Sequence, residues 1–358
     1  MKGMLTVLGL SLVGGFLFSL LNIPIPWMLG PIFVIIIAQF LYKGSLLWSA
    51  NLRDFGLVIL GVAIGEQFNL SLFSGIGMLL LYMLLLNIIL IASSVVLAFA
   101  LSKWSKLSLK SMILGTIPGG LGQIIIFAEE EKNVNLTAIT YFHIVRLILV
   151  VVVIPFIVSG HMISKSTAHI PVTFSLVFLI LLAWGCSYVA QRLKMPIAYF
   201  LAPILLIIAL QLTSFDLAPL PSPIMNGAQL LIGAHIGLLL KPHMIKLPYR
   251  YLVAGILSAL GLIALTFGSS YIVSYFLDYS FATSFLSTAP GGIDQMGLLA
   301  DAIGADVSIV SIFQVFRLLF IFLIVMPAIQ FFYNFAAKKR ERKLLEELDQ
   351  KQEVAVKC

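Results

Sequence analysis

The chain has 358 residues, of which 61% are hydrophobic and only 10% charged, with a formal net charge of +7 at pH 7. Soluble domains carry about 25% charged residues, and a fold of this length has no way to hide so much apolar surface from water. Composition therefore points to an all-α membrane protein and away from a soluble enzyme or a DNA-binding domain.

In chain order, Lys2 opens a largely apolar run that ends at Leu21, followed by Asn22, Pro24 and Pro26 with no small-x-small cleavage pattern. This is read as a retained first transmembrane helix, not a signal peptide. Further apolar segments lie near 25–42, 53–66, 74–101, 109–128 and 136–160. A short, mildly polar linker at 161–172 precedes six more, near 173–191, 196–211, 226–240, 251–276, 281–300 and 307–333. The hydrophilic tail 336–358 begins with Lys338, Lys339, Arg340, Arg342 and Lys343, the usual cytoplasmic anchor of a final helix and not a nucleic-acid face. Cys186 and Cys358 are too few for a disulfide framework.

The two sets of segments are copies. Ile117-Pro118-Gly119-Gly120-Leu121-Gly122-Gln123 returns as Ala289-Pro290-Gly291-Gly292-Ile293-Asp294-Gln295, an offset of 290 − 118 = 172. The same offset pairs Pro24, Leu29 and Pro31 with Pro196, Leu201 and Pro203, and Gly61, Ile64 and Gly65 with Gly233, Ile236 and Gly237. Arg146 then matches Arg317 at 171, one residue having been lost. The units run over 4–160 and 173–333, and duplication is a common way to build a transporter.

Six crossings per unit would make the copies parallel, and five would invert them. With twelve crossings and the tail inside, Lys132, Arg192, Lys194, Lys241, Lys246 and Arg250 face outward. If the Pro-Gly-Gly segment of each unit fails to cross, all six move inside and Lys165 is the outside exception. The rival non-crossing segments, 53–66 and 226–240, would leave Lys103, Lys106, Lys110, Lys241, Lys246 and Arg250 outside. The expected architecture is two inverted repeats of about five transmembrane helices, each with one re-entrant or broken Pro-Gly-Gly segment. Proline and paired glycines break a helix, and broken backbone at membrane depth survives only beside protein or a water-filled cavity.

Arg146 and Arg317 fall about ten residues into their segments, where an ionised guanidinium needs an anionic partner. That partner is either a solute or a carboxylate, with Glu129 and Asp301 as the matched alternatives. Backbone N–H groups freed around Gly119, Gly120, Gly291 and Gly292 add positive polarity. Gln123, Gln295 and Asp294 add polar side chains. Asp294 stands where the first copy has Gly122, which suggests coupling to a proton or sodium ion, or else an ion pair with one of the arginines. His143 matches Gln314, so both copies place a hydrogen-bonding group one turn before the arginine. His235, between Gly233 and Gly237, reads as a packing residue. Glu66 and Gln67 end the matching segment of the first copy, and Trp27 and Tyr199 mark interfacial turns. No spacing of His, Cys and carboxylates fits a metal site, and no nucleotide-binding glycine motif is present, so no cofactor is expected.

The repeated Pro-Gly-Gly-Leu/Ile-x-Gln elements, each followed by a membrane-embedded Arg, resemble the AbrB-duplication family of bacterial integral membrane proteins. The resemblance spans 4–333 and places the family motif at Pro118, Gly119, Gly120 and Arg146, and at Pro290, Gly291, Gly292 and Arg317. Members have been labelled regulators or ammonia monooxygenases. It implies residence in the bacterial inner membrane and supplies no substrate. The residues themselves lead to a secondary transporter of a small anionic solute such as a carboxylate, bound at Pro118, Gly119, Gly120, Gln123, Arg146, Pro290, Gly291, Gly292, Asp294, Gln295 and Arg317. The alternative is a membrane protein that regulates gene expression through its tail. An enzyme is not expected. Both termini are expected in the cytoplasm, and self-association is left open.

Overall fold

The computed structural model describes residues 2–42, 44–68, 76–119, 121–131, 134–158, 174–195, 197–212 and 220–329. The linker and the tail lie outside these residues. Among the described residues every regular element is helical. In order they are α1 (Lys2–Leu20), α2 (Pro26–Leu41), α3 (Ala50–Glu66), α4 (Ile76–Ser105), α5 (Leu109–Thr116), α6 (Leu121–Glu130) and α7 (Leu136–Val158). They continue as α8 (Phe174–Arg192), α9 (Ala198–Leu212), α10 (Ser222–Leu239), α11 (Tyr249–Leu277), α12 (Phe281–Thr288), α13 (Ile293–Ile303) and α14 (Val307–Phe320). A short 3₁₀ turn, Pro242–Lys246, follows α10.

Six of these helical stretches are long and apolar enough to cross a membrane: Lys2–Leu20, Gly77–Ser105, Leu136–Val158, Ser222–Lys246, Tyr249–Leu277 and Val307–Ile329. Pro26–Leu41, Leu176–Arg192 and Ala198–Leu212 are apolar but shorter. The chain is thus an all-helical protein of membrane type. It forms two compact units, Met1–Gln314 and Val315–Cys358. In the second, the end of α14 passes into a π-helical turn, Ile321–Val325, and Phe316 stacks on Phe320 with ring centroids 6.1 Å apart.

Within the first unit, α2, α3, α9 and α10 cross one another, and glycines set how closely they approach. A Cβ on Gly61 would lie 2.6 Å from the Phe200 carbonyl oxygen and 2.9 Å from Pro203 Cβ. One on Gly233 would lie 2.6 Å from the Met28 carbonyl oxygen. Gly65 abuts Ile207, and Gly237 abuts Ile35. The two Gly-x-x-Ile-Gly runs are therefore packing seams between α3 and α9 and between α10 and α2, as small residues allow.

The chain's bends fall at corresponding places. Non-glycine residues with positive φ are Asn22, Ile25, Lys106, Lys194, Ile197 and Asp278. Each member of the first three has its partner 172 positions later in the second three. Ile25 and Ile197, both at φ 47, precede α2 and α9. A β-branched residue is rare in that region, so these two turns are held by the packing around them.

Candidate functional site

Both Pro-Gly-Gly elements end a short helix and start another. At 1.5 Å per residue, the 8 residues of α5 or α12 reach only about 12 Å, far less than the roughly 30 Å of a hydrocarbon core. Each pair of helices doubles back as a hairpin. After α6, the Asn135 N–H donates to Ser111 Oγ in the first turn of α5, at 2.8 Å. Lys110 Nζ also reaches Glu131 Oε2 at 2.8 Å. After α13, the Asp306 N–H donates to Thr283 Oγ1 in the first turn of α12, at 3.0 Å. Chain that leaves the mouth of each hairpin thus returns to it.

The sequence explains the hairpins locally. Ser108 and Ser280 cap α5 and α12 by accepting from the N–H groups of Ser111 and Thr283. Asn135 and Asp306 then cap the outgoing helices, their Oδ1 atoms accepting from Ala138 and Ile309 N–H. Near the tips, Thr116 Oγ1 donates within α5 and toward the Ser94 carbonyl, and Thr288 Oγ1 does so within α12 and toward Thr266. At the tips, Gly119 N–H turns back to the Ile117 carbonyl and Gly291 N–H to that of Ala289, both at 2.8 Å. Each turn thus engages one N–H group of its glycine pair.

The outgoing helices carry side chains that finish the broken ones. His143 Nε2 lies 2.8 Å from the Leu114 carbonyl. Gln314 Nε2 donates to the Leu286 carbonyl at 2.7 Å, with longer contacts to Ser287 and Ala289. Both groups satisfy last-turn carbonyls that the break leaves without a helical partner. Arg146 is buried and donates through Nη1 to the carbonyls of Thr116, at 3.2 Å, and Ile117, at 3.1 Å. Its Nη2 contacts His143 Nδ1 at 2.9 Å. These contacts require neutral imidazole with the proton on Nε2.

Arg146 therefore caps the negative end of α5, and among the described residues no protein carboxylate pairs with it, which corrects that one of its two expected partners. Glu129 is exposed on α6, while Asp301 Oδ1 accepts from Gln67 Nε2 at 2.6 Å. Arg317 stands one turn beyond Gln314 on α14, in the second compact unit.

The second hairpin tip rests against α7. A Cβ on Gly291 would come within 3.0 Å of Val150 Cγ1, one turn past Arg146. Beyond the tip, Asp294 stands in the first turn of α13. Its carboxylate accepts from Gln295 Nε2 at 2.7 Å. The first turn of α13 thus carries an acidic side chain of its own. The Asp294 and Gln295 side chains fold over Gly292 and occupy the space a Cβ would need there.

Asp294 and Gln295 open onto a cavity of about 430 Å³ shared with Arg53, Asp54, Tyr199 and His235. Arg53 donates to Asp54 Oδ1 through Nε, at 2.9 Å, and Nη2, at 2.6 Å. Arg53, Asp54, Tyr199 and His235 were not among the expected site residues. Arg53 and Asp54 sit near the start of an apolar segment and resemble a membrane-boundary pair, while His235 reads in sequence as a packing residue and Tyr199 as part of an interfacial turn. Only the crossing of α3, α9 and α10 beside α13 brings them together. Gly120 and the Gln123 side chain lie outside what the structure describes. Pro118 and Pro290 are buried at their hairpin tips.

A family model described as "Transition state regulatory protein AbrB" matches residues 27–333. The chain is also 29% identical, over 372 residues, to the uncharacterized protein YhjN of Bacillus subtilis (strain 168), covering 94% of each. It is 28% identical, over 348 residues, to the protein of Escherichia coli (strain K12) named as regulator AbrB, covering 94% of this chain and 98% of the other.

Proposed function

The chain belongs to the AbrB family, and from that premise we propose that it is a secondary membrane transporter built from two inverted repeats around a pair of re-entrant hairpins. One observation carries this reading. The two Pro-Gly-Gly hairpins agree bond by bond, from their serine caps to the Gly119 and Gly291 turns and the His143 and Gln314 contacts. The starts of corresponding helices differ by 171 to 173 positions throughout. Paired broken elements near the centre of a membrane fold are the usual location of a transported solute.

In this reading each repeat crosses five times. Both termini and the basic tail face the cytoplasm of a bacterial inner membrane, and a proton or sodium ion at Asp294 drives the cycle. The role is one of binding and movement, not catalysis. The carboxylate preference expected from the charges has weaker support. Arg146 is occupied by helix carbonyls, and the first turn of α13 already carries Asp294.

The test is transport by proteoliposomes given concentration jumps of butyrate and of n-butylammonium. We expect saturable movement of one of them, reduced at least tenfold by Arg146→Ala and by Arg317→Ala at matched reconstitution. No protein-dependent movement of either probe, or rates unchanged in both variants, would reject the transporter.

The name carried by the Escherichia coli relative favours a second reading, a membrane regulator of gene expression. That reading requires deletion of residues 338–358 to abolish the regulatory phenotype while solute movement continues.

A further inference from the structure

The end of α8 carries a set of donors that the fold leaves uncommitted. Arg192 Nη2 donates to Tyr188 Oη at 2.6 Å, and its guanidinium lies 5.2 Å from the centre of that ring. Tyr188 accepts there, so its own hydroxyl proton remains to be given. Tyr199 donates to Gln191 Oε1 at 2.9 Å, which leaves the N–H groups of that amide without a partner among the described residues. Lys194 follows, exposed, in a left-handed turn at φ 58. Neither Arg192 nor Lys194 pairs with a carboxylate among the described residues. Tyr188, Gln191 and Arg192 stand three and four positions apart, on one face of the helix. Toward the helix start the same face continues through Gly185, Leu181 and Phe178. Leu181 and Phe178 are 63% and 62% exposed, and a Cβ on Gly185 would meet nothing within 4 Å. An apolar track with a notch at its middle thus leads to four donors and two positive charges.

The duplication supplies a comparison. α1 is the counterpart of α8, and its end closes by the same bonds. Asn22 N–H donates to the Ser19 carbonyl and Ile23 N–H to that of Phe18, both at 3.1 Å. Lys194 N–H donates likewise to Gln191 and Met195 N–H to Ala190, both at 3.0 Å. Asn22 and Lys194 share the left-handed turn. Yet Phe16, Leu20 and Asn22 stand where α8 carries Tyr188, Arg192 and Lys194. The turn closes without either charge, so the cations of α8 are not required by the fold.

We propose that this end of α8 binds an anionic phospholipid of the surrounding bilayer. Arg192, Lys194, Gln191 and the Tyr188 hydroxyl donate to the phosphate oxygens, and an acyl chain lies along Gly185, Leu181 and Phe178. A guanidinium matches a phosphate in both geometry and charge, and basic clusters at helix ends attract anionic headgroups. Tyrosine at the same level suits the membrane interface, where its ring is apolar and its hydroxyl wet. A choline lipid would bring a third cation beside the two of the protein, whereas an anionic lipid brings none. Because the donors end an apolar face, the ligand is a lipid and not a free phosphate. The four donor residues lie outside the cavity lining, and the proposal is independent of the transport reading.

The full-length protein in dodecyl maltoside is titrated with dioleoylphosphatidylglycerol, or with dioleoylphosphatidylcholine as the lipid of equal chains and no net charge, and its melting temperature is followed. The glycerol lipid should raise that temperature saturably, with a half-saturating mole fraction at least fivefold below that of the choline lipid. Arg192→Gln combined with Lys194→Gln should bring the two lipids within twofold of each other. Lys241→Gln combined with Lys246→Gln removes two exposed cations from a different turn and should leave the preference intact, which separates this site from a general attraction to positive charge. Glycerophosphoglycerol, the headgroup without chains, should give no rise at the same concentrations. Equal effects of the two lipids, a preference that survives in the Arg192 and Lys194 variant, equal loss in both double variants, or full stabilisation by the headgroup alone would each overturn the proposal. If the first double variant does not fold, Tyr188→Phe, which removes one exposed hydroxyl, should raise the half-saturating fraction of the glycerol lipid at least twofold. An unchanged value there overturns the proposal as well.

Discussion

His143 and Gln314 differ in chemistry and perform one task. Each meets a carbonyl in the last turn of a helix that ends at a Pro-Gly-Gly break, Leu114 in one case and Leu286 in the other. His143 also receives a donor from Arg146. Glutamine offers the same pair of functions, an N–H for Leu114 and an oxygen for Arg146. His143→Gln should therefore leave the detergent melting temperature nearly unchanged. His143→Phe strands the Leu114 carbonyl and one arginine donor, at roughly 1–3 kcal/mol for each buried group left unsatisfied, and should melt several degrees lower. Equal melting of the two variants would show that the ring is held by packing alone. The sequence revealed that both positions carry hydrogen-bonding groups. It did not reveal that their partners are backbone carbonyls, because such a partner leaves no signature in residue type. For the same reason Arg146 looked like an anion ligand: a helix C-terminus is a negative pole with no acidic residue to mark it.

At the level of elements, the glycines separate into those that set a crossing and those that do not. On α10, Gly233 lies against the Met28 carbonyl, whereas a Cβ on Gly227 would meet nothing within 4 Å. The same contrast is available on α3 through Gly61, which faces the Phe200 carbonyl and Pro203. Backbone atoms move only if a whole helix moves. Gly61→Ala and Gly233→Ala should therefore each destabilise by about 1–3 kcal/mol, as overpacking does. Gly227→Ala should be neutral or stabilise by about 0.5–1 kcal/mol, because alanine restricts the unfolded chain. Thermal unfolding of the three variants checks this, and a Gly233→Ala protein as stable as the parent would remove the seam. The matched glycines, the Pro-Gly-Gly breaks and nearly every helix were legible in the sequence, since each depends on local pattern. The cavity was not. Its polar residues come from α3, α9, α10 and α13, and Arg53 and Asp294, which both line it, stand more than two hundred positions apart. The Arg53–Asp54 pair reads in sequence as a membrane-boundary feature because apolar residues follow it directly.

For the whole molecule, the arrangement turns on the hand of the duplication. The hairpin mouths bring Asn135 back to Ser111 and Asp306 back to Thr283, so neither Pro-Gly-Gly element advances the chain across a bilayer. In the proposed reading five crossings then remain in each repeat, and an odd number inverts the second copy relative to the first. Long single helices make the consequence measurable. The 29 residues of α11 reach about 43 Å, enough to place Tyr249 and Asp278 on opposite faces. Lys106 and Asp278 occupy the same place in their repeats, each in a left-handed turn after a long helix. In an inverted pair they lie on opposite faces, and in a parallel pair on the same face. Single cysteines at Lys106, His243 and Asp278, in a background without Cys186 and Cys358, can be probed with a membrane-impermeant maleimide on intact cells and on opened vesicles. We expect the cysteines at Lys106 and His243 to label only when the cytoplasmic face is reached, and the one at Asp278 on intact cells. Labelling of Lys106→Cys and Asp278→Cys from one face would make the repeats parallel. The two hairpins would then enter from the same side, and the central meeting point on which the transporter reading depends would be lost.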